Sequence, residues 1–310
     1  MPDIVISEFM DEAALQPLRP RYSVLYDPGL VDDLDRLHAE IADAEAIIVR
    51  NRTQVRAPLL DAGPSLKCVG RLGVGLDNID LDLCSSRGIE VYPATGANDR
   101  SVAEYVIATA LSLRRGAFSA SDQVSSGVWP REALVGGELT DTTFGLFGFG
   151  RIAQEVARLV SIFDVELIAY DPHLPENDPA WQRARKVDFE NLITESDVLS
   201  LHVPLNDGTR GAIDVSALAT MKPSAILINA ARGGIVDEKA VVIALRNGKL
   251  GGAALDVFEK EPLDQEMGSK FGGVPNLVLT PHIAGLTREA NARVSELTVE
   301  NVLKHLRGRT

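Results

Sequence analysis

The sequence predicts an α/β protein built from two parallel-sheet domains. Short apolar runs alternate with amphipathic stretches along almost all of the 310 residues. The runs are apolar at consecutive positions, which is typical of strands that helices cover on both faces of a parallel sheet. A polar stretch at residues 119–141 separates two such series. At roughly 150 residues per domain, the length also favours two domains.

The first series predicts a flavodoxin-like domain over residues 1–97. Its apolar runs predict strands, and the amphipathic stretches between them predict helices. The predicted strands are residues 4–6, 23–26, 46–49, 68–72 and 89–92, and the predicted helices are 12–18, 31–41, 57–62 and 81–87. A helical pattern at 288–306 can return to this domain, so we expect residues 291–310 to complete it.

The second series predicts a Rossmann-like domain over residues 98–290. It begins with a long helical pattern at 101–115 and continues with strands and intervening helices. The predicted strands are residues 144–147, 166–170, 198–201, 225–228, 253–256 and 277–280. Six strands with intervening helices are what a full dinucleotide-binding sheet requires.

Composition excludes several classes of protein. Hydrophobic residues make up 45% and charged residues 24%, which are ordinary globular values. The formal net charge of −13 repels phosphate backbones and anionic lipids, so we expect neither a nucleic-acid partner nor a membrane partner. Cys68 and Cys84 form no C-x-x-C pattern, so no metal site is predicted. The first residues do not resemble a signal peptide, and we expect a cytoplasmic protein.

A glycine-rich turn at residues 148–153 predicts a dinucleotide site. Gly148, Gly150 and Ala153 fit the pattern G-x-G-x-x-[G/A] between a predicted strand and an amphipathic helix. Gly148 permits the tight turn and Gly150 lets the backbone approach a pyrophosphate, which the helix N-terminus then attracts.

The next predicted strand ends at Asp171, eighteen residues beyond Ala153. A carboxylate at this place accepts hydrogen bonds from the adenosine ribose hydroxyls and repels a 2′-phosphate. Pro172 and His173 follow, and neither Arg nor Lys stands beside Asp171 in the sequence. The predicted cofactor is therefore NAD rather than NADP.

Three polar segments follow predicted strands in the second domain, at residues 229–237, 256–262 and 280–285. Ligands of open parallel sheets bind at the carboxyl ends of the strands. We therefore expect all three segments to face the end of the sheet that carries the glycine-rich turn.

These segments carry a family resemblance. The motifs Arg-Gly-Gly-x-Val-Asp at 232–237, Asp-Val-Phe-x-x-Glu-Pro at 256–262 and Pro-His-Ile-x-Gly at 281–285 resemble those of the D-isomer-specific 2-hydroxyacid dehydrogenase family. Further similarity at 71–80, 101–104 and 197–205 extends it over nearly the whole chain. Within the family, the chain resembles the D-3-phosphoglycerate dehydrogenases and also the sulfolactate dehydrogenases.

The resemblance implies that Arg232, Glu261 and His282 are the catalytic residues. Reduction of a 2-keto acid needs a hydride at the carbonyl carbon and a proton at its oxygen. An imidazolium is a natural proton donor near neutral pH, and a paired Glu261 favours the charged ring and fixes its orientation. The guanidinium of Arg232 offers a planar fork to the substrate carboxylate and polarises the carbonyl.

The resemblance also implies cofactor contacts outside the two glycines and Asp171. Arg151 and Ile152 are expected at the pyrophosphate, and the adenosine side and the nicotinamide are expected to meet segments after later strands. The predicted contacts there are His202, Val203, Pro204, Thr209, Ala230 and Asp256. Asp256 is expected to accept a hydrogen bond from the carboxamide, and His202 is expected to line the cofactor rather than to act in catalysis.

The substrate is expected in a cleft between the domains. The backbone at Val74 and Gly75 resembles the family loop that receives the substrate carboxylate, and Arg232 and His282 are expected to contact the same molecule. Arg50 and Arg52 follow a predicted strand of the first domain and suggest a second anionic group on the substrate. Short dianions such as 3-phosphoglycerate or 3-sulfolactate fit, and the sequence leaves phosphate and sulfonate both open.

Two alternatives stay open from the sequence. A glyoxylate or hydroxypyruvate reductase is expected if Arg50 and Arg52 point away from the substrate, and a non-catalytic NAD-sensing regulator is expected if no keto acid turns over. By analogy with the family, we also expect a homodimer, to which the apolar helix at 102–113 contributes.

Overall fold

The computed structural model describes residues 1–308. It divides into two compact units. The first unit is Met1–Asn98 with the described part of Leu286–Thr310, and the second unit is Asp99–Gly285.

The secondary structure follows the predicted alternation of strands and helices. The strands are β1 (Ile4–Ile6), β2 (Val24–Tyr26), β3 (Ala46–Val49), β4 (Cys68–Arg71), β5 (Glu90–Pro93), β6 (Thr143–Phe147), β7 (Glu166–Tyr170), β8 (Arg185–Lys186), β9 (Val198–Leu201), β10 (Ile226–Asn229), β11 (Gly252–Leu255) and β12 (Leu277–Leu279). The α-helices are α1 (Leu34–Glu40), α2 (Ala57–Ala62), α3 (Leu81–Ser86), α4 (Asp99–Arg115), α5 (Ser121–Ser125), α6 (Arg151–Val160), α7 (Phe189–Glu195), α8 (Val215–Thr220), α9 (Glu238–Arg246), α10 (Gln265–Gly268) and α11 (Arg288–Arg307). Short 3-10 helices occur at Glu12–Leu15, Leu30–Asp32, Ala117–Ala120, Ser161–Phe163, Pro179–Gln182 and Ser269–Phe271.

The first unit contains a five-stranded parallel sheet in the order β2-β1-β3-β4-β5. This is the flavodoxin-like order, in which the chain reverses its direction of travel through the sheet between β1 and β3. The carboxyl ends of these two strands form the switch point, where open α/β sheets bind ligands.

The second unit contains a seven-stranded parallel sheet in the order β12-β11-β10-β9-β6-β7-β8. The six strands from β11 to the edge strand β8 have the order of a dinucleotide-binding sheet, and β12 is added beside β11 at the other edge. The switch point lies between β6 and β9, which pair directly in the register Phe144↔Val198. The fold class predicted from the sequence, two parallel-sheet α/β domains, is confirmed.

Helices cover both faces of each sheet, which explains why the strands are apolar at consecutive positions. In the first unit, Val5, Ile47 and Val69 pack in one core and Ile4, Ile48 and Cys68 in another. Helix α11 belongs to the second of these cores and approaches β4 closely. A Cβ added to Gly70 would lie only 2.8 Å from side-chain atoms of Thr298 and Val302.

The structure corrects the predicted boundaries of several elements. The helix expected at 12–18 is only a 3-10 turn, Glu12–Leu15, and the helix expected at 31–41 is interrupted at Asp33 (φ −130°), which caps α1 through Arg36 N–H. The polar stretch at 119–141 includes α5 and the end of a 3-10 helix. The sequence also missed β8, because a two-residue charged edge strand has no apolar signature.

Helix α4 buries its apolar face within its own unit. Val102, Val106 and Ala110 are almost inaccessible and pack in the core beside α6 and the central strands. Ile107, Leu111 and Leu113 of the same helix are only partly buried, so the contribution of α4 to a dimer stays a prediction. Exposed apolar side chains lie instead in the following segment, at Phe118, Val124, Val128, Trp129 and Val135.

Across residues 1–308, each helix is either too short or too polar to cross a lipid bilayer.

Candidate active site

The glycine-rich turn joins β6 to α6 at the switch point of the second unit. Gly148 has φ +84°, a region that favours glycine, and an added Cβ would lie 2.8 Å from Val203 Cγ1 and 2.9 Å from the His202 carbonyl oxygen. Gly150 is the N-cap of α6, where no side chain caps the helix and an added Cβ would meet open space. An uncapped helix N-terminus beside open space fits a pyrophosphate.

Arg151 and Ile152 begin α6 as the sequence predicts. The Arg151 side chain is exposed, and its Nε donates to Asp99 Oδ2 at 3.0 Å. Ile152 is half-buried and packs on the core of the unit. The position of the guanidinium near the phosphate site is thus set by a carboxylate at the start of α4.

Asp171 lies at the end of β7 and ties the glycine-rich turn to it. Its Oδ2 accepts the N–H of Phe149 at 2.8 Å, and its Oδ1 accepts the N–H groups of His173 and Leu174 at 2.9 and 3.1 Å. These bonds orient the carboxylate and use both lone pairs of Oδ1, so Oδ2 is the oxygen that retains acceptor capacity for a ribose hydroxyl.

Asp171 borders a groove of about 530 Å³ that Arg185 and Lys186 of β8 also line. The sequence did not indicate this proximity. Both cations already pair with carboxylates: Arg185 with Glu166 and Glu195, and Lys186 with Glu176. They are therefore not arranged as a ready-made site for a 2′-phosphate, in agreement with the prediction of NAD.

The segment after β9 faces the glycine-rich turn. His202 hydrogen-bonds through Nε2 to Ser200 Oγ at 2.9 Å, and burial lowers the pKa of its ring to about 3, so the ring is neutral at pH 7. Val203 is buried, whereas Pro204 is exposed. Thr209 Oγ1 donates to the Pro204 carbonyl oxygen at 2.6 Å and so holds this turn together.

Arg232 follows β10 on a turn that Asn229 organises. The Asn229 side chain accepts the N–H of Ala231 at 3.1 Å and donates to the Arg232 carbonyl oxygen at 2.9 Å. Ala230 lies inside this turn. The Arg232 guanidinium is partly exposed and donates through Nη1 to the Ala231 carbonyl oxygen at 2.6 Å.

Glu261 and His282 form the second part of the site. His282 Nδ1 lies 2.7 Å from Glu261 Oε2, and Glu261 Oε1 accepts the N–H of Phe258 at 2.9 Å. Burial raises the pKa of Glu261, but the hydrogen bonds from His282 and Phe258 and the charges of His282 and Arg232 outweigh it and leave the pKa below its ordinary value. The carboxylate is therefore ionised at neutral pH, and the other imidazole nitrogen, Nε2, is the one left to face a substrate.

Asp256 holds the turn that carries His282. It is 1% exposed, and its carboxylate accepts Thr280 Oγ1 at 2.6 Å, Ile283 N–H at 2.8 Å and Ala284 N–H at 2.9 Å. Its carbonyl oxygen accepts the N–H of His282 at 2.8 Å. The carboxylate that the sequence analysis assigned to the nicotinamide thus organises the histidine turn, and its contact with the cofactor stays a prediction.

The turn of Arg232 and the loop of Glu261 are packed against each other. An added Cβ on Gly233 would lie 1.7 Å from the Phe258 carbonyl oxygen, so only glycine fits there. The buried Glu238 carboxylate, at the start of α9, accepts the N–H of Glu259 at 2.7 Å and pairs with Lys270 at 2.5 Å. The relative position of Arg232 and Glu261 is therefore fixed by the backbone.

The predicted distal-anion residues lie in the first unit, after β3. Arg50 donates to the Phe9 carbonyl oxygen at 3.1 Å and to Asn291 Oδ1 at 2.7 Å. Arg52 is more exposed and pairs with Asp32. Both guanidinium groups thus have protein partners, and within residues 1–308 the partner of the Arg52 guanidinium is the exposed carboxylate of Asp32.

Val74 and Gly75 follow β4 and lie next to the Arg50–Arg52 loop. Asn78 joins the two loops, since its Nδ2 donates to the carbonyl oxygens of Thr53 at 2.7 Å and Arg50 at 3.3 Å. Within residues 1–308, the N–H groups of Val74 and Gly75 have no hydrogen-bond partner in the protein, so they are available to a carboxylate.

A family comparison agrees with this geometry. Residues 107–284 match the family described as "D-isomer specific 2-hydroxyacid dehydrogenase, NAD binding domain". The chain is 52% identical to an (S)-sulfolactate dehydrogenase of Chromohalobacter salexigens, over 99% of each chain. The chain belongs to the D-isomer-specific 2-hydroxyacid dehydrogenase family.

Other members of the family are similar over the whole chain. A D-3-phosphoglycerate dehydrogenase of Archaeoglobus fulgidus is 38% identical over 98% of this chain, which spans 57% of that longer protein. A D-lactate dehydrogenase of Aquifex aeolicus, solved with NAD and lactic acid, superposes with a TM-score of 0.85 at 29% identity, covering 98% and 96% of the two chains. The predictions of an oxidoreductase and of NAD as its cofactor are confirmed.

Sequence reasoning missed several residues that build the site of this 2-hydroxyacid dehydrogenase. Asn229, Glu238 and Glu8 are buried polar side chains that hold loops bearing predicted site residues. Asn229 and Glu8 stand near the ends of apolar runs, which is a usable signal. The carboxylate of Glu238 follows the N-cap of a helix and looks in sequence like an ordinary first-turn acid.

Proposed function

We propose that this NAD-dependent 2-hydroxyacid dehydrogenase acts on a short dianionic substrate, 3-sulfolactate and its keto acid 3-sulfopyruvate. The observation that carries the proposal is the loop that places Arg50 and Arg52 at the switch point of the first unit. Asn78 links this loop by hydrogen bonds to the loop of Val74 and Gly75, whose N–H groups are available. One loop receives a carboxylate and the other a second anion. The similarity to a sulfolactate dehydrogenase favours sulfonate over phosphate.

Three side chains of the second unit supply the rest of the chemistry. Arg232 binds the substrate carboxylate and polarises the carbonyl oxygen. His282 gives a proton to that oxygen in reduction and removes it in oxidation, through Nε2. Glu261 holds the ring through Nδ1, and its ionised carboxylate stabilises the imidazolium. NADH, when bound, supplies the hydride that reduces the carbonyl carbon.

We propose that the cofactor binds on the residues of the glycine-rich turn and its neighbours. Gly148, Gly150, Arg151 and Ile152 would hold the pyrophosphate, and Asp171 would hold the adenosine ribose. The turn after β9 would line the adenosine, with His202, Val203, Pro204 and Thr209. The nicotinamide would lie near Ala230 and Asp256.

The enzyme is also proposed to be a cytoplasmic homodimer. The NAD pool on which the reaction draws is intracellular, which supports the location. The dimer is supported by the exposed apolar side chains between Phe118 and Val135, because monomeric proteins rarely leave such a group uncovered.

A reductase for monoanionic keto acids is the second candidate. The observation that favours it is that both arginines already have protein partners, Arg50 at Asn291 and Arg52 at Asp32. In that case the guanidinium groups serve the fold and not the substrate, and hydroxypyruvate or glyoxylate becomes the preferred substrate.

A substrate panel tests the proposal. NADH oxidation is followed with 3-sulfopyruvate, 3-phosphohydroxypyruvate, hydroxypyruvate and glyoxylate, and we expect the highest kcat/KM with 3-sulfopyruvate. The expected product is the S isomer. In the naming rules the CH₂ group that carries sulfur ranks above the carboxyl group, so a centre with the D-like arrangement receives the label S. Equal or better values with hydroxypyruvate or glyoxylate would establish the monoanion reductase instead.

Two matched variants locate the distal-anion site. Arg52→Gln is expected to raise KM for 3-sulfopyruvate roughly tenfold or more, since a charged hydrogen bond contributes about 1.5–3 kcal/mol. The control is Arg56→Gln, which removes an exposed guanidinium bound to the Asp77 carbonyl oxygen in the same region. If both variants change KM equally, Arg52 does not contact the sulfonate.

A further inference from the structure

Glu8 is a buried carboxylate beneath the loop that bears Arg50 and Arg52. It follows β1 and is 4% exposed. Its Oε1 accepts the N–H groups of Arg50 at 2.8 Å and Thr53 at 2.9 Å, and its Oε2 accepts the N–H of Arg52 at 3.1 Å. Burying a carboxylate is costly unless hydrogen bonds compensate it, and here three main-chain donors do so. The backbone at both arginines is therefore built around one side chain.

Further bonds make this loop rigid. Ser7 Oγ and Thr53 Oγ1 hydrogen-bond at 2.9 Å in the interior, and Asn78 accounts for the carbonyl oxygens of Arg50 and Thr53. Glu8 accepts N–H groups of this loop and Asn78 donates to two of its carbonyl oxygens, so the backbone from which each guanidinium extends has a defined position. A preorganised site of this kind loses little entropy when an anion binds.

The two arginines differ in their surroundings. Burial lowers the pKa of Arg50, while the charge of Glu8 acts in the opposite direction. The hydrogen bond and the charge of Asp32 raise the pKa of Arg52, and the charge of Glu8 adds to them. Glu8 contacts main-chain N–H groups of the loop, whereas Asp32 forms an ion pair with the exposed guanidinium of Arg52.

Glu8, Arg50 and Arg52 lie at a place in the sheet where ligands commonly bind. Glu8 follows β1 and the arginines follow β3, and these are the two strands that flank the switch point of the first unit. Ligands of open α/β sheets bind outside the carboxyl ends of the strands at this point. A rigid loop with two cations at such a place is suited to a tetrahedral anion.

We propose that Glu8 is a positioning residue that determines selectivity for substrates with a second anionic group, by fixing the backbone of Arg50 and Arg52, and that the distal anion displaces Asp32 from Arg52. This rests on the proposed function, in which those arginines bind the distal anion. Glu8 itself contacts neither substrate nor cofactor.

Two charge-matched variants test the proposal, because each removes one negative charge near the anion. In Glu8→Gln, an amide that keeps its oxygen on Arg50 and Thr53 must turn its NH₂ group toward the N–H of Arg52, which leaves two donors facing each other. In Asp32→Asn, the competitor for the Arg52 guanidinium is weakened. We expect KM for 3-sulfopyruvate to rise roughly tenfold in Glu8→Gln, because the two facing donors displace the backbone that positions the Arg52 guanidinium, and to fall in Asp32→Asn.

The same variants are assayed with glyoxylate, which carries no second anion. We expect its KM to change far less than that of 3-sulfopyruvate in Glu8→Gln. If KM for 3-sulfopyruvate falls in both variants, Glu8 acts only as a background charge and the proposal is wrong. Equal losses with both substrates, together with a lowered Tm, would assign Glu8 to folding alone and would also overturn it.

Glu8→Asp keeps the test decisive if the glutamine variant does not fold. It retains the charge but withdraws the oxygens by one methylene, so we expect KM for 3-sulfopyruvate to rise although no charge is lost. A wild-type KM in Glu8→Asp contradicts the proposal. A wild-type enzyme without preference for dianions would instead refute the proposed function, whereas a preference that survives the Glu8 variants refutes only the role of Glu8.

Discussion

His282 stands in a backbone conformation that few side chains adopt. Its φ is +55°, and its N–H donates to the Asp256 carbonyl oxygen at 2.8 Å. A residue in the left-handed region costs about 1–3 kcal/mol and persists only where its surroundings fix it. Here the buried Asp256 carboxylate fixes the following residues, and Glu261 fixes the ring. The imidazole is therefore oriented from both its backbone and its side chain.

Replacing this histidine tests its role as acid and base. In His282→Ala we expect kcat to fall by about 10²–10⁴, the usual contribution of a positioned proton donor. The Kd for NADH, measured by fluorescence titration, is expected to change little, because the residues proposed to hold the pyrophosphate and the adenosine ribose are not altered. His38→Ala, on helix α1, is the control. Turnover that survives in His282→Ala would remove this residue from the mechanism.

The buried ring of His202 is expected to make the free energy of unfolding depend on pH. Burial lowers its pKa to about 3 from an unfolded value of 6.5, so between these values the unfolded chain binds the additional proton. Stability is therefore lost as pH falls from 6.5 toward 3. In His202→Gln this contribution disappears, and the free energy of unfolding, measured by urea denaturation, should fall less steeply between pH 6.5 and 4. If the free energy of unfolding falls equally steeply with pH in the wild type and in His202→Gln, the pKa of the His202 ring is not lowered in the folded protein.

At the scale of the elements, every predicted site residue of the second unit lies in a segment that follows the carboxyl end of a parallel strand. Buried polar side chains hold the loops, which have no regular structure of their own. They are Asn229 at the end of β10, Asp256 after β11, and Glu238, which accepts the N–H of Glu259 in the loop of Glu261. Each of these side chains compensates main-chain groups that no neighbouring strand can satisfy. Hydrogen bonds from buried side chains therefore tie the loops of the site to the elements that carry them.

Gly233 is the contact at which two of these loops meet. In Gly233→Ala the new methyl group would overlap the Phe258 carbonyl oxygen, so the turn of Arg232 and the loop of Glu261 must separate. Overpacking of this kind costs about 1–3 kcal/mol of stability, and we expect kcat to fall more than tenfold. Gly268→Ala, where an added Cβ meets nothing within 4 Å, is the control and should keep both stability and activity. Wild-type kcat in Gly233→Ala would show that the two loops need not be fixed together.

At the scale of the whole molecule, the two units share one architectural principle. Each is an open parallel sheet with a switch point, and the residues proposed for substrate and for cofactor lie at the carboxyl ends of strands in both. The net charge of −13 makes local arginines necessary wherever an anionic substrate binds. Arg50 and Arg52 in one unit and Arg232 in the other have this role in the proposed function.

Light scattering tests the proposed homodimer. We expect a mass of twice the 33.4 kDa chain, and we expect Phe118→Glu combined with Trp129→Glu to shift it toward the single chain, since both side chains are more than two-thirds exposed. Ile162→Glu, an equally exposed apolar residue elsewhere in the second unit, is the control and should leave the mass unchanged. A wild-type protein with the mass of one chain would contradict the dimer, and a dimer that tolerates the double substitution would place the interface elsewhere.

The sequence by itself determined the sheets and the glycine-rich turn, whereas the catalytic role of Arg232, Glu261 and His282, which the family resemblance implies, stays a prediction. Buried parallel strands require consecutive apolar residues, and the turns at Gly148 and Gly150 require glycine, so both leave local patterns that can be read directly. The boundaries at 12–18 and 31–41 were wrong, and β8 was missed, because short turns and charged edge strands carry no such periodicity.

Only the tertiary structure decided which side chains hold the site together. Glu8 lies 42 residues before Arg50, and Glu238 lies 21 residues before Glu259, yet each carboxylate accepts the N–H of the other residue. The same applies to α4, since the sequence does not tell that Val102, Val106 and Ala110 pack in the core of its own unit while Ile107, Leu111 and Leu113 are only partly buried. Hydrogen bonds and packing between distant segments depend on how the chain folds, and local residue patterns do not encode them.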